Sequence, residues 1–275
     1  MTVSQLQRKL HSVREIQKTY DNWPQWFISR MGIDFLGSSA EIKTGRSRLV
    51  APRNFESWGI ADQVWREKVY TRHFPILQGY RVLDIGAHYG FFTVFAALEN
   101  EGVKVVAYEP SKSTFQILRN NLEGNRLDRQ SVLAFNCGLA DKSGDAVFYK
   151  PEGHDASGTL FAKNVSGASC RVLEEVVRIE EAVRIWDVFD WYDFAKLDCE
   201  GAELPILRHL GDQVRRLGHI VLEYHQDPNN LVEFLSSKHF SIVEIVPLES
   251  KANWNAFSHL GMLYARNTES WMTMQ

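Results

Sequence analysis

Cysteine is scarce in this 275-residue chain. Cys137, Cys170 and Cys199 are too few and too scattered for a disulfide framework or a zinc site. Cys199, set in an apolar run, reads as a small core residue. An excess of one charge is missing too: the formal net charge is −3, which excludes broad electrostatic capture of nucleic acid. No segment reaches about 20 apolar residues, and the amino terminus has no uninterrupted apolar run of the kind that directs export. A cytoplasmic protein without stable membrane insertion is expected. A Gly-x-Gly-x-x-Gly turn, which cradles the pyrophosphate of dinucleotides, is also absent. What the composition does supply is 44% hydrophobic residues, enough for one large core with an appended segment.

The chain is organised around residues 81–93, Arg-Val-Leu-Asp-Ile-Gly-Ala-His-Tyr-Gly-Phe-Phe-Thr. Val82, Leu83 and Ile85 make a short buried strand, and Phe91, Val94, Phe95 and Leu98 then recur at helical spacing. Between them lies a tight turn containing Gly86, His88 and Gly90. In a βαβ unit such a turn sits at the carboxyl edge of the sheet, where doubly wound folds bind ligands. Gly86 lets the backbone pass close to a ligand, and Gly90 lets the helix start close to the strand. Asp84 would repel a diphosphate but suits a cationic ligand. That points to S-adenosylmethionine.

Residues 103–108 read as a second strand closed by Glu109-Pro110-Ser111. An acidic residue there is placed to accept both hydroxyls of a ribose, near the spacing of about 20 residues expected for this role. A helix over 115–122, stopped at Gly124, leads to a third strand over 132–137. Cys137 and Gly138 then fall in a turn that commonly borders an adenine ring. The candidate cofactor-binding set is therefore Asp84, Gly86, His88, Gly90, Glu109, Ser111, Cys137 and Gly138.

A second informative stretch is Asp193-Phe-Ala-Lys-Leu-Asp-Cys-Glu-Gly-Ala-Glu203. Lys196, Asp198 and Glu200 alternate and so share one side of a strand. Burying them unpaired would cost several kcal/mol each, so they belong at the strand's open end or in partnerships, facing the first turn. Glu203 caps the helix that follows. A fifth strand over 220–222 ends in Glu223-Tyr224-His225. Runs over 240–246 and 259–265 close the sheet, and their short connection makes them antiparallel. Residues 172–179 and 183–188 read as strands, and the loop 151–169 (His154, Asp155, Ser157, Gly158) sits where a substrate-contacting loop would.

Ahead of the first strand, Leu6, Leu10, Val13, Ile16 and Tyr20 define an amphipathic helix that packs on its own domain or supports a homo-oligomer. An aromatic group follows at Trp23, Pro24, Trp26 and Phe27. Residues 32–54 contain a candidate hairpin around Gly45-Arg46 and look like a cap or lid. Residues 58–72 read as one helix.

The blocks at 82–93, Tyr108-Glu-Pro-Ser111, Asn120-Asn-Leu122 and Lys196-Leu-Asp-Cys-Glu-Gly-Ala-Glu203 resemble the signature blocks of the FkbM family of methyltransferases. The resemblance spans roughly residues 70–224. At position 88 this sequence carries His where the family usually has Asn. The resemblance implies a class I, Rossmann-like α/β fold: a seven-stranded, mostly parallel sheet with an antiparallel last strand. It would occupy residues 70–275 as a S-adenosylmethionine-dependent methyltransferase domain, preceded by a helix and cap over 1–69. It also implies methyl transfer to a hydroxyl oxygen of a sugar or polyketide-type natural product, so the partner is a small-molecule or glycan acceptor. The residues suited to take the hydroxyl proton are, in order, Asp198, His225 and Glu200, with Lys196 a fourth option if strongly desolvated. Three other readings remain: a nicotinamide oxidoreductase on a similar sheet, disfavoured by the missing glycine pattern; a catalytically silent binding or scaffold member of the fold, disfavoured by the charges at the strands' carboxyl ends; and a metal-assisted variant with a divalent ion on Asp198, Glu223 and His225.

Overall fold

The computed structural model describes residues 12–30, 39–53, 55–152, 158–165, 170–248 and 259–269. Leu6 and Leu10 of the expected first helix lie outside the described residues, as do His154, Asp155 and Ser157 of the expected substrate loop. The chain opens with helices α1 (12–19) and α2 (Trp23–Arg30) and a hairpin of β1 (Ser39–Thr44) and β2 (Ser47–Pro52). The hairpin turns at Gly45, whose φ is +53°. Ile16, Tyr20, Ile42 and Leu49 are buried in the same apolar core as the domain's own helices.

Helix α3 (Phe55–Ala61) is shorter than the sequence pattern predicts. It widens into a π-helical turn over Asp62–Arg66 and ends at Lys68, which has a φ of +50°. The wide turn points Asp62 inward. There its carboxylate accepts bonds from Tyr20 Oη (2.9 Å), Trp26 Nε1 (3.1 Å) and Arg66 Nε (3.0 Å). A regular helix would forfeit that buried network, so tertiary bonding overrides the periodicity.

The main sheet comprises β3 (Arg81–Ile85), β4 (Lys104–Tyr108), β5 (Val132–Phe135), β9 (Tyr192–Leu197), β10 (Leu217–Tyr224), β11 (Phe240–Pro247) and β12 (Gly261–Asn267). Its spatial order is β11-β12-β10-β9-β3-β4-β5. The β10-β9-β3-β4-β5 pairs are parallel, and β12 runs against both of its neighbours. This is the expected seven-stranded, mostly parallel sheet with a reversed last strand. Alternation divides its side chains between two cores. Val82, Val105, Phe194 and Val221 face α4 (Phe91–Glu99), α5 (Lys112–Gly124) and the amino-terminal elements. Leu83, Val106, Ala195 and Leu222 face α6 (Glu203–Leu210) and α7 (Asn229–Ser237).

A second sheet was not foreseen in the sequence: β6 (Gly138–Ala140), β7 (Gly144–Pro151) and β8 (Val172–Glu181), in the order β6-β8-β7. Residues 183–188, expected as a strand, instead form most of a 3-10 turn over Ala182–Asp187. Ala182 and Ile185, three apart, are both fully buried, and the Ile185 carbonyl accepts from Tyr192 Oη at 2.8 Å. A three-residue repeat suits that helix and not a strand.

The hairpin is bound to α5 by asparagines that imitate a pairing strand. Asn121 accepts from Val50 N (2.7 Å) and donates to Val50 O (3.0 Å), while Asn125 does the same for Arg48 at 2.8 and 2.6 Å.

Candidate active site

Strands β3 and β9 are neighbours, with β4 on one side and β10 on the other. The sheet order therefore reverses between β3 and β9, and their carboxyl ends open a crevice there. A cavity of about 430 Å³ occupies it, within the range of roughly 300–1,000 Å³ typical of small-molecule sites. Gly86, His88, Glu109, Cys137, Gly138, Asp198, Glu200 and His225 all line it. Asp84, Gly90 and Ser111 do not, and each departure has a physical reason.

Asp84 was expected to face a cationic ligand, but it is fully buried behind the turn. Lys196 Nζ donates to its Oδ1 at 3.0 Å and Thr93 Oγ1 to its Oδ2 at 2.6 Å. Lys196 Nζ also donates to the Gly86 carbonyl at 2.8 Å. Burial works against the charge on Lys196, but Asp84 and Asp198 outweigh it and raise its pKa. Lys196 is thus a fixed cation that ties β9 to the glycine turn, not a base. Gly90 caps α4 with φ +78°, and a Cβ there would lie 2.9 Å from Leu118 Cγ, so it serves the packing of α4 on α5. Ser111 is buried at the start of α5 and donates its N–H to Glu109 Oε1 at 2.9 Å.

Gly86 has the tightest steric demand. With φ +79°, a Cβ would stand 1.8 Å from the Asp198 carbonyl oxygen, so the turns after β3 and β9 touch backbone to backbone. Glu109 closes β4 with its side chain held by two backbone donors, His88 N and Ser111 N, both at 2.9 Å. Burial pushes its pKa up to about 7 against the pull of those two N–H groups. His88 adopts φ +52° and lays its ring on Tyr89, with centroids 3.7 Å apart. Tyr108, Pro110, Leu139 and Phe148 add an apolar wall beside Cys137 and Gly138. Burial also drives the Cys137 thiol up to about 11, so it stays neutral.

The turn after β9 is held by Glu203, whose part exceeds the helix cap expected of it. Glu203 Oε1 accepts from Cys199 N (2.9 Å) and faces His225 Nδ1 (3.1 Å), and Oε2 accepts from Gly201 N (3.1 Å). Glu200 sits at φ +53°. Its carbonyl accepts from Thr159 Oγ1 at 2.8 Å and from Asn164 Nδ2 at 3.1 Å, so the described part of the inserted loop braces the turn.

His225 is correspondingly not a neutral imidazole. Its Nε2 lies 3.4 Å from Glu200 Oε2 and 3.6 Å from Glu223 Oε1, while Glu203 faces the other nitrogen. Burial opposes its protonation, but Glu200 and Glu203 outweigh it and hold the pKa well above the ordinary value. A protonated imidazole has no free lone pair, which favours Asp198 over His225 as the proton acceptor. Asp198, Glu200 and His225 do place one oxygen or nitrogen each within 4.8 Å of one another. Glu200 thus stands where the metal-assisted reading had Glu223. Burial raises Glu200 well above the carboxylate range and Glu223 to about 8.

Sequence reasoning missed Tyr70, whose hydroxyl donates to Asp198 Oδ2 at 2.9 Å across 128 residues. It also left the wall beyond Tyr70 unassigned. Glu56, Gly59, Ile60, Gln63 and Val64, from α3 and its wide turn, supply that wall, and neither strand of the hairpin contributes. The helical pattern marks Ile60 and Val64 as inward-facing, but nothing in it separates core from cavity.

The methyltransferase FkbM domain matches residues 84–252. The chain belongs to that family. The nicotinamide-oxidoreductase reading thereby falls away. Among relatives of this FkbM-family chain, the 31-O-demethyl-FK506 methyltransferase FkbM of Streptomyces tacrolimicus is 35% identical over 83 residues, covering 30% of this chain and 31% of that protein. The hexuronic acid methyltransferase AglP of Haloferax volcanii is 24% identical over 223 residues, covering 78% and 87% respectively. The crystal structure of methyltransferase FkbM from Methylobacillus flagellatus KT superposes with a TM-score of 0.47 at 16% identity, over 71% of this chain and 46% of that one. Among the described residues, no helix is long and apolar enough to cross a membrane.

Proposed function

We propose that this methyltransferase uses S-adenosylmethionine to methylate a hydroxyl oxygen of a sugar or polyketide-type acceptor in the cytoplasm. The observation that carries the reading is that two carboxylates, Glu109 at the end of β4 and Asp198 after β9, open onto one cavity built around Gly86. The residues suit the cofactor. Glu109 offers a buried carboxylate to a ribose, Gly86 leaves a surface that no side chain could share, and Tyr108, Pro110 and Leu139 form an apolar seat beside Gly138. The bound cofactor supplies an already activated methyl group. The chain's own task is then to align the acceptor, exclude water and take the hydroxyl proton.

Asp198 is the proton acceptor in this reading, because its side chain lines the cavity while Lys196 is committed to Asp84 and His225 is an imidazolium. Tyr70 and Phe92 exclude water on one side. The names of two relatives support the acceptor class, one a 31-O-demethyl-FK506 methyltransferase, whose name marks an oxygen, and one a hexuronic acid methyltransferase, whose name marks a sugar acid.

The test is incubation with methyl-labelled S-adenosylmethionine and three acceptors, methyl glucoside, methyl glucuronide and 31-O-demethyl-FK506. An O-methyl product is expected from at least one. Asp198→Asn should slow its formation by about 10²–10⁴-fold while S-adenosylhomocysteine still binds. A methyl group recovered only on nitrogen or carbon would overturn the reading.

A further inference from the structure

Tyr70 lies ahead of the residues matched to the FkbM domain, which begin at 84. It is 4% exposed, and its ring stands edge-on to Phe92 with centroids 5.2 Å apart. Lys196 Nζ sits 5.2 Å from the ring centroid. The Tyr70 hydroxyl and the Lys196 ammonium address the same oxygen, Asp198 Oδ2, at 2.9 Å and 3.9 Å. Asp84 and the Gly86 carbonyl hold Lys196 in turn.

We infer that Tyr70 is a positioning residue for the methyl-transfer reaction: its hydroxyl fixes Asp198 through Oδ2 and so presents Oδ1 to the acceptor hydroxyl. The inference rests on the reading of Asp198 as proton acceptor. A carboxylate on a turn has two soft torsions, and a donor locking one oxygen removes the rotations that would take the other off line. A phenol suits this role because burial and the neighbouring Asp198 keep its own proton on. Other charged groups stand close to the same carboxylate: Lys196 from β9, Glu200 from the following turn, and Glu223 and His225 from the end of β10. A Tyr70 effect must therefore be read against an unchanged set of these neighbours.

Tyr70→Phe removes only the hydroxyl. The acceptor-free readout is the Asp198 Cγ resonance in protein carrying 13C-labelled aspartate, assigned by its loss in Asp198→Asn. Its chemical shift at fixed pH should change in Tyr70→Phe, because the carboxyl group loses the donor on Oδ2. In contrast, 3-fluorotyrosine at position 70, a stronger donor, should move the resonance in the opposite sense. With whichever of the three named acceptors is methylated, Tyr70→Phe should lower kcat about tenfold and leave the KM for S-adenosylmethionine within about twofold, as expected for an interaction realised in the transition state. It should add no further loss on top of Asp198→Asn, since the two act as one unit. An unmoved Asp198 resonance in both position-70 proteins, or a Tyr70→Phe loss that multiplies with that of Asp198→Asn, overturns the inference. If Asp198→Asn itself keeps the wild-type rate, the proposed base is wrong whatever Tyr70 does.

Discussion

Replacing Glu109 by Gln tests the cofactor side of the site, and its effect should depend on pH. The Glu109 carboxyl is pushed up to about 7 by burial, from an ordinary value of 4.5. Without ligand it is therefore about one-tenth ionised at pH 6 and about nine-tenths at pH 8. A ribose donating two hydroxyls favours the ionised form, so binding should expel the proton wherever the free protein still holds it. Affinity for S-adenosylhomocysteine should then rise about tenfold, ~1.4 kcal/mol, between pH 6 and pH 8. Calorimetry at pH 6 in two buffers of different ionisation enthalpy should show close to one proton released. Glu109→Gln should abolish both effects and weaken binding at pH 8 by roughly 1.5–3 kcal/mol for each charge-assisted bond lost. Gln is preferable to Ala, which would strand the His88 and Ser111 N–H groups now bonded to the carboxylate. In the ligand-free protein the same raised pKa makes the native state the better proton binder. The associated stability is present at low pH and lost as pH rises from about 4.5 to 7, at most about 3 kcal/mol. Equal affinity at pH 6 and 8 without proton release, or pH dependence surviving in Glu109→Gln, would refute the assignment.

Gly86→Ala should destabilise the fold by more than about 4 kcal/mol, because its Cβ would stand 1.8 Å from a backbone carbonyl at φ +79°. A variant that melts near the wild-type temperature and keeps its ligand affinity would show that the two turns can separate cheaply. His225→Gln should cost up to about 3–5 kcal/mol at pH 6 by leaving Glu203, 3.1 Å away, without its cation. The imidazole's raised pKa means that this stability is complete below its unfolded value and is lost as pH rises through the folded one. Urea unfolding should accordingly show a smaller deficit at pH 9, and an equal deficit at both pH values would rule out the imidazolium.

Much of the site was legible because its residues cluster at strand ends. Glycines at 86 and 90, an acidic closure at Glu109, and alternating charges after Phe194 each carry a local signal. The errors share a cause. Asp84 looked like a ligand contact because a lone carboxylate at a strand end invites a cation, yet that cation is Lys196, 112 residues away. His225 looked like a base with an ordinary pKa because its neighbours Glu200 and Glu203 reach it only through the packing of α6 on β10. Residues 183–188 and 58–72 were assigned from periodicity, which registers burial but not the Ile185 carbonyl bond or the Asp62 network.

By itself, the sequence determined the order of the main sheet's strands and the helices between them, the reversed last strand, the glycine turn and the family. These follow from short-range periodicity, from glycines where no side chain fits, and from motif blocks contiguous in the chain. Only the tertiary structure decided which charges pair and which meet the cavity. Parallel strands brought side by side by crossovers place Lys196 against Asp84, Glu203 against His225 and Tyr70 against Asp198. The state of a buried ionisable group depends on whether its counter-charge stands about 3 Å or much farther away, and sequence separation carries no record of that distance.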